Sequence, residues 1–341
     1  MIPEDIAGKV VNGVRAGLYS LLLGSGFSAE AQSPDGRLLP TGSQLAEELA
    51  KEFRLPLGHP LPRLWGALPS PDRERYLAQR LTNSQVSNEE LLPVHKFVWR
   101  SVYTFNVDDV VERIYEFTSR QQELEVITHK NSYSTPDSLA TVRCVHLHGS
   151  VLRPDDGYVF STADYGAATA KHSIWGPILA DELATTPFFV VGSSLDEYDL
   201  EHHLARRGGI DASRAPVPSL FITPFPDQVL ESTASKYGLI VVKATATEFL
   251  KWLRSRTGKV PSTFELIFPS RTDDLYSDPP PRPRDIRIFH RQFLHVDPSA
   301  LPQPLDYKNF LSGTEPTWKD IISNYDVLRQ DVGKIMQLLQ S

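Results

Sequence analysis

The chain has 341 residues, 35 Lys and Arg against 42 Asp and Glu, a net charge of −7 and a single cysteine. At 40% hydrophobic residues it can bury a full core, which excludes wholesale disorder. The acidic balance argues against a protein whose main task is gripping a phosphate backbone, and one cysteine excludes both a disulfide framework and a four-cysteine zinc site.

In chain order, LYSLLL (18–23) reads as a strand buried on both faces, followed by the turn Gly24-Ser25-Gly26-Phe27-Ser28. Thr41 and Gln44 have the spacing of a capping box, in which two side chains three residues apart satisfy free helix N–H groups. LAEELAKEF (45–53) then continues with helical spacing. Residues 55–93, rich in Pro, Arg and polar residues with pieces such as PDRERYLAQRL, read as a helical insert. FVWRSVYTFN (97–106) reads as a strand ending at Asn106, and DDVVERIYEF (108–117) as a helix with acids in its first turn. VRCVHLHG (142–149), FFVVGSS (188–194), SLFITP (219–224) and GLIVVKA (238–244) are further short strands, and Thr247 to Arg256 is a closing helix. Residues 261–304 hold nine prolines, including PPPRP (279–283), which predicts a Pro-rich arm over 257–309. Helical periodicity returns over 310–341 and runs to the last residue, as in a connector to a further module.

No run reaches the ~18 apolar residues that span a bilayer. MIPEDIAGKVVNG lacks the apolar stretch of a signal peptide, so a reducing, cytoplasmic setting without membrane contact is expected.

Short apolar strands alternating with helices imply an α/β architecture, a Rossmann-like parallel sheet with helices on both faces over 1–256. Such sheets bind ligands outside the carboxyl ends of their strands. Four polar strand endings, at 24–28, 106–109, 148–150 and 192–194, would converge there on one crevice. Gly24-x-Gly26 suits close approach of the backbone, with its N–H groups, to a phosphate. It lacks the third glycine of the dinucleotide fingerprint, and a tight structural turn accounts for it equally well. One of Asp108 and Asp109 is expected to cap the following helix. Asn106 at its strand's end can hold a water or a ribose hydroxyl, donating and accepting together. His146 and His148 stand two apart on one strand face. A metal pair lacks a third ligand, and a hydrogen-bonded core histidine is the ordinary reading of either one. His148, at the strand's end before Gly149, is where a general base would reach a substrate hydroxyl. Gly192-Ser193-Ser194 suits ribose or phosphate recognition, and Cys144 reads as a core residue.

Together GSGFS (24–28), LPTGSQLAEELA (39–50), YTFNVDDVVE (103–112), HLHGSV (146–151) and VVGSSLDEYDL (190–200) resemble the sirtuin (SIR2) family. The set is most similar to the SIR2-like domains of bacterial anti-phage defence proteins, over about residues 20–250. The resemblance implies that NAD is bound as a substrate by Gly24, Ser25, Gly26, Ser28 and Thr104 and by Gly192, Ser193 and Ser194, the two serines facing the adenosine half. It implies that Asn106 orients the nicotinamide ribose, that His148 acts on that ribose and that Asp108 lies near the carboxamide. Protein-deacylating sirtuins carry four zinc cysteines, which this chain lacks. No zinc is expected, and an NAD glycohydrolase is favoured over a protein deacylase or a non-catalytic NAD or ADP-ribose sensor. FLSGTEPTWKDIISNYDVLRQD (310–331) resembles the segment that precedes the P-loop NTPase module of STAND-type defence proteins. That implies a C-terminal NTPase module, a phage-derived trigger acting indirectly, and a homo-oligomer whose assembly orders the loop after Ser28 or the insert 55–93.

Overall fold

The structure, a computed structural model, describes residues 2–133, 138–170, 174–194, 200, 203–205 and 217–267. The expected arm beyond 267, the connector 310–341 and residues 195–199 of the Gly-Ser motif lie outside the described residues.

Strands β1 (Ser20–Leu23), β2 (Val102–Thr104), β3 (Glu123–Thr128), β4 (Thr141–His146), β5 (Phe188–Val191), β6 (Ser219–Thr223) and β7 (Leu239–Lys243) form one sheet in the order β3-β4-β2-β1-β5-β6-β7. Every neighbouring pair is parallel. The helices are α1 (Glu4–Arg15), α2 (Ser25–Ser28), α3 (Gly42–Glu52), α4 (Leu61–Ala67), α5 (Ser70–Leu81), α6 (Val110–Tyr115), α7 (Thr162–Ala170), α8 (Trp175–Thr185), α9 (Gln228–Lys236), α10 (Ala246–Thr257) and α11 (Thr263–Ile267).

Strand residues alternate between two cores, as the pleat requires. Leu21, Leu23, Phe189, Val191 and Cys144 pack with Leu49, Val110, Ile114 and Phe249 on one face. Leu22, Tyr103, Val145, Phe188 and Val190 pack with Trp175, Leu179 and Leu183 on the other. This is the doubly covered parallel sheet that the apolar runs predict.

Several elements differ from the sequence reading. The strand expected over 97–106 pairs only at Val102–Thr104. Upstream, the side-chain amide of Gln122 takes the place of a strand neighbour: its Oε1 accepts from Trp99 N at 2.8 Å and its Nε2 donates to Trp99 O at 2.9 Å. The strand expected over 18–23 pairs with β5 only from Ser20, opposite Phe188. The turn at 24–28 contains a helical turn, α2. β3, α1, α7, α8 and α9 have no counterpart in the sequence reading. β3 begins with acids alternating with apolar residues, the pattern of a half-exposed sheet edge and not of an apolar run.

The insert is helical and firmly tied down. Buried Arg80 on α5 grips Glu48 of α3 through Nε and Nη2, at 2.8 and 3.0 Å. It also donates to Ser33 Oγ and Leu38 O, both at 2.6 Å. These bonds join the loop after Ser28 and the insert to α3 within a single chain. Among the described residues no helix is long and apolar enough to cross a membrane.

The loops leaving β1 and β5 touch backbone to backbone. Gly26 N donates to Gly192 O at 2.8 Å. Gly192 has φ +68°, and a Cβ there would run into Phe27 N and stand 2.5 Å from Gly26 C. A Cβ on Gly24 would stand 2.6 Å from Gly192 O. Because backbone atoms cannot rotate away, Gly192→Ala is predicted to lower stability by about 3 kcal/mol or more, roughly 6–12 °C in melting temperature. Gly36→Ala, at φ +81° in open space, is predicted to cost only about 1 kcal/mol. Thermal unfolding of the two variants checks this. Equal melting temperatures would show that the glycine contact is slack.

Candidate functional site

β4, β2, β1 and β5 are consecutive in the sheet, and one register row crosses their carboxyl ends. His146 pairs with Thr104, Thr104 with Leu23, and Leu23 with Val191. His148, Asn106, Gly24 and Gly192 each follow that row by one or two residues. At a strand spacing of about 4.8 Å, the four endings lie side by side across roughly 15 Å. After β4 the chain crosses to the other side of β1, so strand order reverses between β1 and β5, the place where open parallel sheets hold ligands.

Gly24, Gly26 and Gly192 lie at the β1 and β5 endings, backbone against backbone. Two of the loop's N–H groups are engaged within the protein: Gly24 N donates to Val191 O at 3.0 Å, and Gly26 N to Gly192 O. Ser25 Oγ accepts from Gly42 N at 3.3 Å and so ties the loop to the start of α3. Thr104 Oγ1 donates to Leu23 O at 3.3 Å and accepts from Asn106 N at 2.9 Å. Ser193 is buried and its hydroxyl donates to Ser194 O at 3.3 Å, while Ser194 is exposed.

Asn106 is held from every side. Its N–H meets Thr104, its carbonyl oxygen lies 2.9 Å from His146 Nδ1, and Nδ2 donates to Gly24 O at 2.9 Å and Ser28 Oγ at 3.0 Å. The Gly24 carbonyl can only accept, which fixes which end of the amide is nitrogen. Among the described residues no hydrogen bond engages Oδ1. The expectation that Asn106 both donates and accepts is therefore corrected: it presents an acceptor alone. Ser28 passes its own proton on to Asp108 Oδ1 at 3.0 Å, giving a directed chain from amide to hydroxyl to carboxylate.

Asp108 is buried and also accepts from Val110 N at 3.1 Å, a cap-like contact at the start of α6. Burial pushes its carboxyl up to about 6; the Val110 and Ser28 hydrogen bonds pull against this, and the neighbouring Glu112 adds to it. Asp109 turns away to the insert, accepting from Asn83 N and Ser84 N at 2.8 and 3.0 Å.

The two histidines do not share a strand face, because β4 ends at His146. His146 lies beneath α6 against Glu112. His148 is buried in an aromatic surround, its ring 5.0 Å from Phe105, 6.1 Å from Phe160 and 5.5 Å from Tyr165. Its Nε2 lies 3.1 Å from Tyr165 Oη on α7. Trp65 of the insert packs edge-on against Phe160 at 4.9 Å, so the insert braces the wall beside His148. Tyr165 and Trp65 escaped the sequence reading because neither lies in a motif; only the fold brings them to His148. Beyond β4, a cavity of about 740 Å³ opens between His129, Lys130 and Asn131 on one side and Asp156, Tyr158 and Asp164 on the other. Among the described residues no group of three or more His, Cys, Asp or Glu side chains is placed to hold a metal ion.

A family model described as SIR2-like domain matches residues 100–242, from the approach to β2 into β7. The match includes Asn106, Asp108, His146, His148 and Gly192, and leaves out β1 with Gly24–Ser28. No curated protein matches the chain.

The Asp108 carboxyl sets a pH dependence. Its folded pKa lies above the unfolded value of 3.8, so its contribution to stability is fully present below about pH 3.8 and is lost as pH rises through about 6. Asp108→Asn keeps an acceptor for Ser28 and Val110 and removes the ionisation. The variant is predicted to match or exceed the parent by up to about 2 kcal/mol at pH 8, and to lose that advantage at pH 4. Urea unfolding at the two pH values measures it. A variant markedly less stable at pH 8 would mean that the carboxylate charge is favourable in place.

Proposed function

We propose that the protein is an NAD glycohydrolase, cleaving NAD to nicotinamide and ADP-ribose. The observation that carries this reading is Asn106, whose Oδ1, unengaged by any hydrogen bond among the described residues, stands at the end of β2, next to the β4 ending that bears His148. The SIR2-like match over both residues supports NAD as the substrate.

The chemistry suits this arrangement. The C1′–N bond breaks with its electron pair leaving on nicotinamide, which departs neutral and leaves an oxocarbenium-like ribose. A water oxygen then bonds to C1′ and one proton is released. Oδ1 of Asn106 accepts a hydrogen bond from that water or from a ribose hydroxyl and so fixes its approach. His148, turned by Tyr165 and walled by Phe105 and Phe160, takes the proton. The glycine floor lets the dinucleotide lie close to the backbone, with Ser193 and Ser194 toward its adenosine half.

Such an activity fits an effector in anti-phage defence that depletes NAD once infection is sensed. A C-terminal STAND-type NTPase module and self-association would hold it silent until then. Assembly would order the loop between Ser28 and Pro40 or the insert 55–93, whose Trp65 packs against Phe160 beside His148.

Incubation with NAD, with nicotinamide and ADP-ribose separated chromatographically, tests the reading. Nicotinamide release without any acylated peptide is expected; release only when an acyl-lysine peptide is present would establish a deacylase instead. Asn106→Ala and His148→Ala are each predicted to lower turnover by ~10²–10⁴-fold, far more than the loss of folded protein at the assay temperature, although each lowers the melting temperature by leaving Gly24 O and Ser28 unmet or by opening a cavity among Phe105, Phe160 and Tyr165. Addition of EDTA is predicted to leave both activity and melting unchanged. Near-parental turnover in either alanine variant would remove that residue from the mechanism.

A further inference from the structure

The mechanism leaves one buried charged pair without a role, His146 and Glu112. His146 is 0% exposed at the end of β4, and the Glu112 side chain on α6 is 11% exposed. Nδ1 of His146 lies 2.9 Å from the backbone carbonyl oxygen of Asn106 and Nε2 lies 3.0 Å from Glu112 Oε1. A carbonyl only accepts, so Nδ1 carries a proton; a carboxylate also accepts, so Nε2 carries one too. The ring is then an imidazolium between two acceptors, and the hydrogen bond to Asn106 is charge-assisted, the stronger kind. Burial acts to strip that charge, but the Glu112 carboxylate, aided by the Cys144 thiol, outweighs it and holds the ring's pKa well above the usual histidine value. Among the described residues the Glu112 carboxylate has no other hydrogen-bond partner, its Oε2 being buried without one.

We propose that His146, held by Glu112, is a positioning residue that clamps the Asn106–Val107 peptide so that Asn106 Oδ1 stays aimed into the crevice. The proposal rests on the reading that Asn106 acts on NAD. The other anchors of Asn106, at Thr104, Gly24 and Ser28, all come from the β1 and β2 endings. His146 supplies the anchor from β4, the strand that also carries the route to His148. It therefore fixes the spacing between the two groups that must act on one ribose. Misplacement on the ångström scale is enough to lose about 10²-fold in rate.

Three proteins test it: the parent, His146→Leu, and the double variant His146→Asn with Glu112→Gln. Asparagine can place Nδ2 where the imidazole Nδ1 was, and glutamine avoids stranding a buried carboxylate. His146→Leu is expected to lower kcat about 10- to 100-fold with KM for NAD changed less than about threefold, and the double variant to recover most of that loss. A purely structural role would give activity that follows the melting temperature, with no recovery on restoring the donor; that outcome overturns the proposal. Amide hydrogen exchange of residues 104–108 gives a readout free of catalysis. Faster exchange in His146→Leu, reversed in the double variant, is expected, and unchanged exchange overturns the clamp. If the parent does not cleave NAD, the functional reading fails by itself while the exchange data still decide whether the clamp exists.

Discussion

The crevice depends on a contact between two loops with no room for one added methyl group. Gly24 and Gly26 lie directly on Gly192, so the endings of β1 and β5 are locked at the point where strand order reverses. That lock sets where the chain turns into α2, and α2 ends at Ser28. Ser28 and the Gly24 carbonyl are in turn the two acceptors that take the Asn106 amide hydrogens. A glycine contact at the sheet's centre thus decides which atoms of Asn106 the protein engages, leaving Oδ1 without a hydrogen-bond partner among the described residues. Glycine here serves close packing of backbone on backbone, and its effect reaches Asn106 through the Gly24 carbonyl and Ser28.

A small group of charges works beneath this surface. Asp108 and Glu112 are two acids close together, with the His146 cation close to both. Asp108, which among the described residues has two hydrogen bonds and no direct ion pair, shows the burden of burial in its raised pKa. His146 instead keeps its charge and directs it at the Asn106 peptide. The two sides of the crevice are consequently built differently: Asn106 sits over a polar, directed hydrogen-bond chain, and His148 sits among aromatic rings that Trp65 and the insert brace. Such an asymmetry suits a reaction that needs one fixed acceptor for a hydroxyl and one proton acceptor sheltered from bulk water.

The sheet was legible because its central strands are apolar on both faces; LLL at 21–23, FFVV at 188–191 and LFI at 220–222 leave little alternative. The edge strand β3 was not, because acids on its exposed side mask its pairing. The four strand endings were legible as a set because polar residues immediately follow buried runs. Their internal division of labour was not. Nothing in Gly24-x-Gly26 says that its N–H groups are committed to β5 and its loop, and nothing in His146-Leu147-His148 says that the strand stops between the two rings. Those facts depend on register and on neighbours about 40 to 170 residues away, which a single sequence does not display. Tyr165 and Trp65 belong to the same class: they matter through where the fold delivers them.

The most direct measurement is the structure of the protein with a hydrolysis-resistant NAD analogue bound. The expected result is a dinucleotide lying across the β1 and β5 endings, over Gly24–Gly26 and Gly192, with a nicotinamide-ribose hydroxyl or a water at C1′ within about 3.2 Å of Asn106 Oδ1 and His148 on the same ribose. An analogue seated in the cavity beside His129 and Lys130, with Asn106 Oδ1 touching neither ligand nor its water, would contradict it.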